Sequence, residues 1–438
     1  MSATHRNPQN ARDIRHGRFD FCPFKLAHMN KNPLPPDEAR ALILDHVASV
    51  GLETLSHAEV LGRVLARDVV SPLDLPPFAN SAMDGFALVA ADLKSAPQTL
   101  RLIEIIGAGD VAVCSVERGT CIKIMTGAPL PNGADCVVMR EETRESNGQI
   151  QFEETARVGQ NVRPIGDDVR LGEVVLEEGT LIGAATHAML ASLGCAQVEV
   201  FRRPRVAIVV TGKELVGVDA PLLPGQIRDS NSWALRALVS SCAGEVVAVH
   251  RTGDEATEVE AVLRAASQSA DCIVTSGGVS AGDFDPVRDV LLEAAQVHFW
   301  KVAMKPGKPL MFASLEGKPV FALPGNPASV MVGFEEFVRP ALFQMAGRRA
   351  WKRVEVEARL QSDLRSPLDR TEFVRAHLRR GKDGFLALAT GDQNSGRLSS
   401  MVRANALLEI PSDTTFLPSG SPVRAKLLDN AAFEEGAF

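Results

Sequence analysis

Three lysines stand around a Pro-Gly turn in the run Lys301-Val302-Ala303-Met304-Lys305-Pro306-Gly307-Lys308-Pro309. Proline stiffens such a turn and glycine permits the bend, so Lys305 and Lys308 can point at one ligand. The run reads either as an oxyanion site or as a solvated basic turn. A second candidate is Ser276-Gly277-Gly278-Val279-Ser280-Ala281-Gly282-Asp283, which follows a buried apolar run. Its glycines let backbone N–H groups converge on one point, which suits phosphate, although a plain strand-to-helix turn would look the same. Asp283 and Asp285 favour the phosphate reading, because carboxylates beside a phosphate commonly serve Mg²⁺. The third is Leu323-Pro324-Gly325-Asn326-Pro327-Ala328-Ser329. Asn326 suits a helix N-cap and Pro327 the first helical position. The free N–H groups there would attract an anion, with the Ser329 hydroxyl as a further donor, or the segment is simply a well-made helix start.

Other segments are mute by themselves. Pro76–Ala87 is a turn-rich loop carrying Asp84, and Asp-Gly is ordinary turn chemistry. Thr126-Gly127-Ala128-Pro129 and Gly166-Asp167-Asp168 say no more, and Thr211-Gly212-Lys213-Glu214-Leu215 sits at a strand end. No Ser–His–Asp or Cys–His set stands out, and the nine histidines form no metal-ligand pattern, which argues against a protein nucleophile. The seven cysteines lack a Cys-x-x-Cys pair, so each reads as a small buried hydrophobe and together they imply a reducing cytoplasm. A formal net charge of −7 argues against nucleic acid as the main partner. No apolar run approaches the roughly 20 residues that span a bilayer.

These segments need elements to position them. At 438 residues the chain should hold several domains. Residues 1–33 are Arg-rich and polar at first and read as a disordered leader, with a translation start at Met29 as the alternative. From Pro36 to about Ala66 the apolar spacing is helical, and it becomes so again from Thr186 to Leu193. Between them, from Val69 to about Glu178, short β-rich runs broken by Gly, Pro and Asn suggest an inserted β domain. From Arg205, strands alternate with helices, which implies a parallel, doubly wound sheet whose site lies at the carboxyl ends of its strands. One of those strands is expected over VHFWKVAM, and the helix at DSNSWALRALVSSCAG is expected to be capped by Ser or Asn. After Trp351 the pattern returns to β.

Taken in order, the segments PPFANSAMDGFAL, IKIMTGAPLPNGADCVVM, GQNVRPIGDDV, TGKEL, GQIRDSNS, TSGGVSAGDFD, FWKVAMKPGKPL, ALPGNPASV, DRTEFVRA and SGRLSSMVRANALLEIP resemble the molybdopterin molybdenumtransferase (MoeA) family, which includes the E domain of gephyrin. The likeness runs from about residue 34 to 428. It implies a multidomain α/β protein. Residues 34–68 and 181–204 would form a helical subdomain, interrupted by an inserted β subdomain over 69–180. A doubly wound, MogA-like α/β subdomain would follow over 205–349, and a β-barrel-like subdomain over 350–438. It implies a homodimer whose clefts combine the last two subdomains of one chain with the inserted subdomain of the other. The implied reaction converts adenylylated molybdopterin and molybdate to molybdenum cofactor and AMP with Mg²⁺, in contact with a molybdopterin adenylyltransferase and molybdoenzymes.

On that resemblance, Lys305, Lys308, Pro309, Ser329, Arg370 and a serine of the Ser395–Ser400 stretch (Ser395 or Ser400) would hold molybdate, a tetrahedral dianion suited to cations, hydroxyls and a helix start. Gly277, Gly278, Ser280, Asp283, Pro324, Gly325 and Asn326 would bind the adenylylated pterin. Asp84, Thr126, Asp168, Glu214, Asp254, Asp285 and Lys301 would serve catalysis, with Asp283 and Asp285 at the metal. The chain departs from the family pattern at Ala79, Phe86 and Lys213 (usually Asp, Tyr and Asp), and Lys213 reverses a charge beside Glu214. Two rival readings are a molybdopterin adenylyltransferase, which resembles the α/β module alone, and a dimeric scaffold of the gephyrin E-domain type.

Overall fold

The computed structural model describes residues 32–280 and 285–428. These fall into two compact units: one takes the chain up to Val50, then 203–346 and from 350 on, and the other takes 51–202 with 347–349. The expected leader lies almost wholly outside the described residues, as does Asp283. No helix among the described residues is long and apolar enough to cross a membrane.

In the first unit, a six-stranded sheet has the order Glu245–Thr252, Arg205–Thr211, Cys272–Ser276, Lys318–Leu323, Met311–Leu315, Gln296–Trp300. The first four strands are parallel, and Met311–Leu315 runs antiparallel to both neighbours. The wholly parallel sheet expected from sequence is therefore mixed at one side, because the two-residue link Glu316-Gly317 forces a hairpin there. The winding is legible in one strand. Val206, Ile208 and Val210 enter one core with the helices Pro36–His46 and Asn231–Ser241, while Ala207 and Val209 enter another with Ala256–Ser269 and Pro286–Ala294.

The VHFWKVAM run is split rather than continuous. Lys301 takes φ +86° and turns the chain, so Met304–Lys305 leaves the sheet and pairs in parallel with Thr371–Glu372. That second partner opens a closed five-stranded barrel built from Thr371–Gly381, Gly384–Ala389, Glu355–Leu360, Pro422–Leu427 and Ala406–Ile410. Ala358, Val374, Ala376, Leu408 and Ala425 point into its core.

In the second unit, a six-stranded sheet has the order Cys136–Met139, Gly85–Leu88, Thr120–Ile124, Gln98–Ile106, Gln149–Phe152, Thr143–Ser146. The helix expected to continue to Ala66 stops at His46. Val47 is extended, Gly51 takes φ +104°, and Leu52–Ser56 forms a strand against Gln197–Phe201. That pairing joins residues far apart in sequence, which local spacing does not register. Helix Ala184–Ser192 is where the periodicity put it.

The six described cysteines are free, and Cys121, Cys136, Cys242 and Cys272 are buried as expected. Burial pushes the Cys121 and Cys136 thiols up to about 12 and that of Cys242 to about 11. Cys114 is exposed and Cys195 half-buried, so the buried-hydrophobe reading fails for those two.

Candidate anion site and an acidic corner

The carboxyl ends of Arg205–Thr211, Cys272–Ser276 and Lys318–Leu323 bring three of the singled-out loops together. Gly277 takes φ +98°, and a Cβ there would lie 2.7 Å from the Thr211 carbonyl oxygen and hydroxyl, so only glycine lets the loop lie against this strand end. Asn231 ties the next loop in: its amide nitrogen donates to Ser276 Oγ (2.9 Å) and to the Gly325 carbonyl (2.7 Å). Sequence reading gave Asn231 only a capping role. The helix start is in fact capped by Asp229, which accepts from the Ser232 N–H (3.0 Å) and hydroxyl (2.6 Å).

Glu214 folds back over Gly212, where a Cβ would stand 2.7 Å from both carboxylate oxygens. Lys213 beside it is exposed, and Asp254 is half-buried in the loop after Glu245–Thr252. Asp285 is 8% exposed and accepts from the Ser280 N–H (3.0 Å), with Arg288 Nη1 3.8 Å away. Its carboxylate therefore braces the glycine loop. Among the described residues no group of three or more His, Cys, Asp or Glu gathers to hold a metal.

The third loop reaches the barrel. Asn326 makes no side-chain cap; its amide donates instead to Ser395 Oγ (2.9 Å), and the Ser395 carbonyl accepts the Ala328 N–H (3.0 Å). Ser329 is buried one turn into the helix. Ser395 and Ser400 have different places. Ser400 is buried, accepts from Arg375 Nε (3.2 Å) and donates to the Arg397 carbonyl (2.6 Å).

Lys305 and Lys308 differ as well. Lys305 Nζ pairs with Glu372 Oε1 at 2.8 Å, and the Glu372 side chain is 2% exposed. Lys308 is exposed and has no acidic partner among the described residues, while Pro309 and Arg370 are half-buried. Of the two lysines expected to share one ligand, Lys308 is exposed and Lys305 is held by an acid. Sequence reading missed Glu372 and Arg375, although both lie inside the DRTEFVRA segment. Arg375 is fully buried, and its Nη2 donates to the Asn394 carbonyl (3.1 Å). Burial works against its charge and lowers its pKa, while Glu372 and Asp392 work the other way.

The second unit holds a separate corner. Asp84 Oδ1 accepts from the Thr126 N–H (2.8 Å) and hydroxyl (2.7 Å). Those two bonds, the backbone one foremost, hold the exposed Asp84 carboxyl below its ordinary value. Asp168 is exposed on the segment that returns along Leu75 and Pro76, with its N–H on the Leu75 carbonyl (2.9 Å). No bond joins it to Asp84 among the described residues.

Three family models match the chain in order: the MoeA N-terminal region (domain I and II) over residues 34–194, a probable molybdopterin binding domain over 207–344, and the MoeA C-terminal region (domain IV) over 357–428. A molybdopterin molybdenumtransferase of Haemophilus influenzae is 36% identical over 391 residues, covering 88% of this chain and 96% of that one. Another from Nostoc sp. is 39% identical over 373 residues, covering 83% and 85%. The crystal structure of the molybdopterin biosynthesis moeA protein from Pyrococcus horikoshii OT3 superposes with a TM-score of 0.79 at 34% identity, over 90% of this chain and 100% of that one. The order and extent of these regions are thus shared with a family of transferases. The chain belongs to the molybdopterin molybdenumtransferase family.

Proposed function

We propose that this chain takes molybdenum from molybdate to adenylylated molybdopterin, releasing AMP and forming molybdenum cofactor. Its family membership supports the transferase class. The observation that carries the finer reading is the Asn326–Ser395 contact, which sets the helix start of the α/β domain against the serine loop of the barrel. Near that seam Lys308 offers an ammonium without an acidic partner among the described residues, and Lys305 an ammonium held by Glu372. Lys, a hydroxyl and a helix start are the donors a tetrahedral dianion needs, and Arg370 and Ser329 would complete them. The pterin would bring its own sulfur ligands, so the protein needs no thiolate there. Cleaving the phosphoanhydride needs positioning and charge neutralisation, for which the Gly277–Gly278 loop, Lys301, Glu214 and Asp254 are the candidates.

In this reading Mg²⁺ enters with the substrate phosphates. With Asp285 engaged by the Ser280 N–H, the described residues form no carboxylate cage, and Mg²⁺ commonly rests on phosphates and water with one or two carboxylates. In this reading the protein acts as a homodimer in the cytoplasm, and Asp84, Thr126 and Asp168 serve the same reaction. The test is AMP release from adenylylated molybdopterin by purified protein with Mg²⁺, with and without molybdate, alongside sedimentation to give the oligomer. Molybdate-dependent release is expected. A folded dimer that releases no AMP but retains a protein partner would favour the scaffold reading instead.

A further inference from the structure

The glycine loop is gripped from behind by two residues to which no site role was given above, Arg288 and Trp300. Three successive carbonyls of the loop each have a donor. The Gly278 oxygen accepts the Arg288 backbone N–H (2.8 Å), the Val279 oxygen accepts Trp300 Nε1–H (3.1 Å), and the Ser280 oxygen accepts Arg288 Nη1–H (2.8 Å). In a trans peptide the C=O of one residue and the N–H of the next point in opposite directions. Anchoring a carbonyl therefore aims the following N–H the other way.

The consequences differ from plane to plane. The Val279–Ser280 peptide is held at both ends, its carbonyl by Trp300 and its N–H by Asp285 Oδ1 (3.0 Å). Among the described residues the Gly278–Val279 peptide is held at its carbonyl alone. The N–H groups of Gly278 and Val279 have no protein partner among the described residues. Gly277 and Gly278 take φ +98° and +65°, so the two donors lie on a tight glycine turn, where successive backbone N–H groups suit an anion. Trp300 also carries charge on its ring: Lys301 Nζ lies 4.1 Å from the ring centroid and Arg288 Cζ 5.6 Å. Cations are attracted to an indole face at these distances. One side chain thus fixes the loop backbone through its N–H and the neighbouring ammonium through its ring.

We propose that Trp300 and Arg288 are positioning residues for the phosphate end of the substrate: their side-chain bonds to the Val279 and Ser280 carbonyls hold the backbone directly after the Gly278 and Val279 donors, and the Trp300 ring holds the Lys301 charge beside them. The assignment rests on the phosphate reading of this loop. Neither residue need touch the ligand. Trp300→Phe keeps a ring for Lys301 and removes only the N–H, whereas Trp300→Leu removes both.

The experiment is AMP binding by calorimetry to the full-length protein, together with the KM for adenylylated molybdopterin and the half-saturating molybdate concentration. Trp300→Phe is expected to weaken AMP binding about fivefold, the scale of one net hydrogen bond, and to raise that KM similarly. Half-saturating molybdate should stay put. Trp300→Leu should weaken AMP further, because the Lys301 ammonium loses its ring. Arg288→Lys, which keeps the charge and loses the fork, should act in the same sense and serves if the tryptophan variants fold poorly. AMP binding by Trp300→Phe and Arg288→Lys equal to the unaltered protein would overturn the assignment. So would a parallel loss of nucleotide and molybdate use with a lowered unfolding temperature, which is what a merely structural role gives. If the unaltered protein itself binds no AMP, the phosphate reading of the loop falls first and the positioning role falls with it.

Discussion

The glycine-loop edge of the first unit and the Asp84 corner of the second treat charge in opposite ways. At the edge, backbone N–H groups, Lys301 and Lys308 present positive potential, and the acids nearby are buried and engaged, Asp285 with the Ser280 N–H and Glu372 with Lys305. At the corner a carboxylate is itself the exposed group, kept ionised by two bonds from Thr126. The contrast teaches that a list of acidic residues is not a list of equivalent roles. An acid behind a donor organises an anion site, and an acid in front of its donors is free to meet a cation or a proton.

The largest effect should come from the buried side of that contrast. Arg375→Ala removes a guanidinium with no exposed surface and strips Ser400 and the Asn394 carbonyl of their donor. A stability loss of about 3 kcal/mol is expected in urea unfolding, while Thr126→Val at the exposed corner should stay within about 0.5 kcal/mol. Comparable losses at the two positions would erase the distinction between buried brace and exposed reagent.

Next in size are the lysines. Lys308→Ala should raise half-saturating molybdate about tenfold with folding intact, one charge-assisted bond being lost. Lys305→Ala should do the same and also lower stability, because Glu372 is left buried without its partner. If both variants use limiting molybdate normally, neither lysine holds the oxyanion.

The smallest effect is a titration. The Asp84 carboxyl should titrate below the ordinary 3.8, and Thr126→Val should move it upward, read by NMR of the carboxyl. The sign of the linkage follows. A carboxyl that ionises more readily in the folded protein adds stability above its unfolded pKa, and that stability drains away as pH falls through the folded value. Acid that left the Asp84–Thr126 bonds indifferent would remove the reason for keeping this carboxylate ionised.

The alternation of strand and helix after Arg205 was legible because each element carries its own period, and so were the glycine loop and the Pro327 helix start. Local signals stop where partners are distant. Nothing in LETLS announces Gln197–Phe201, and the helical spacing before it hides the break at Val47. Within the candidate site, residue type alone did not show what each side chain touches. Asn326 has the side chain of a cap, yet its amide faces Ser395, and the Ser400 hydroxyl meets Arg375 and Arg397. Glu372 and Arg375 sat in a quoted motif but gave no signal, since a charged residue on a strand usually faces water and these two do not.

The crossing of Met304–Lys305 to the barrel has a consequence for anyone who would graft this protein in pieces. By chain order those two residues belong with the α/β layer; by hydrogen bonds they are the barrel's outermost rung. A barrel excised after Trp351 would leave the first residues of Thr371–Gly381 as a bare edge open to stray pairing, and would strand Glu372 without its counter-ion. The heritable module is therefore discontinuous: a chimera that exchanges the tail has to exchange the lysine turn along with it.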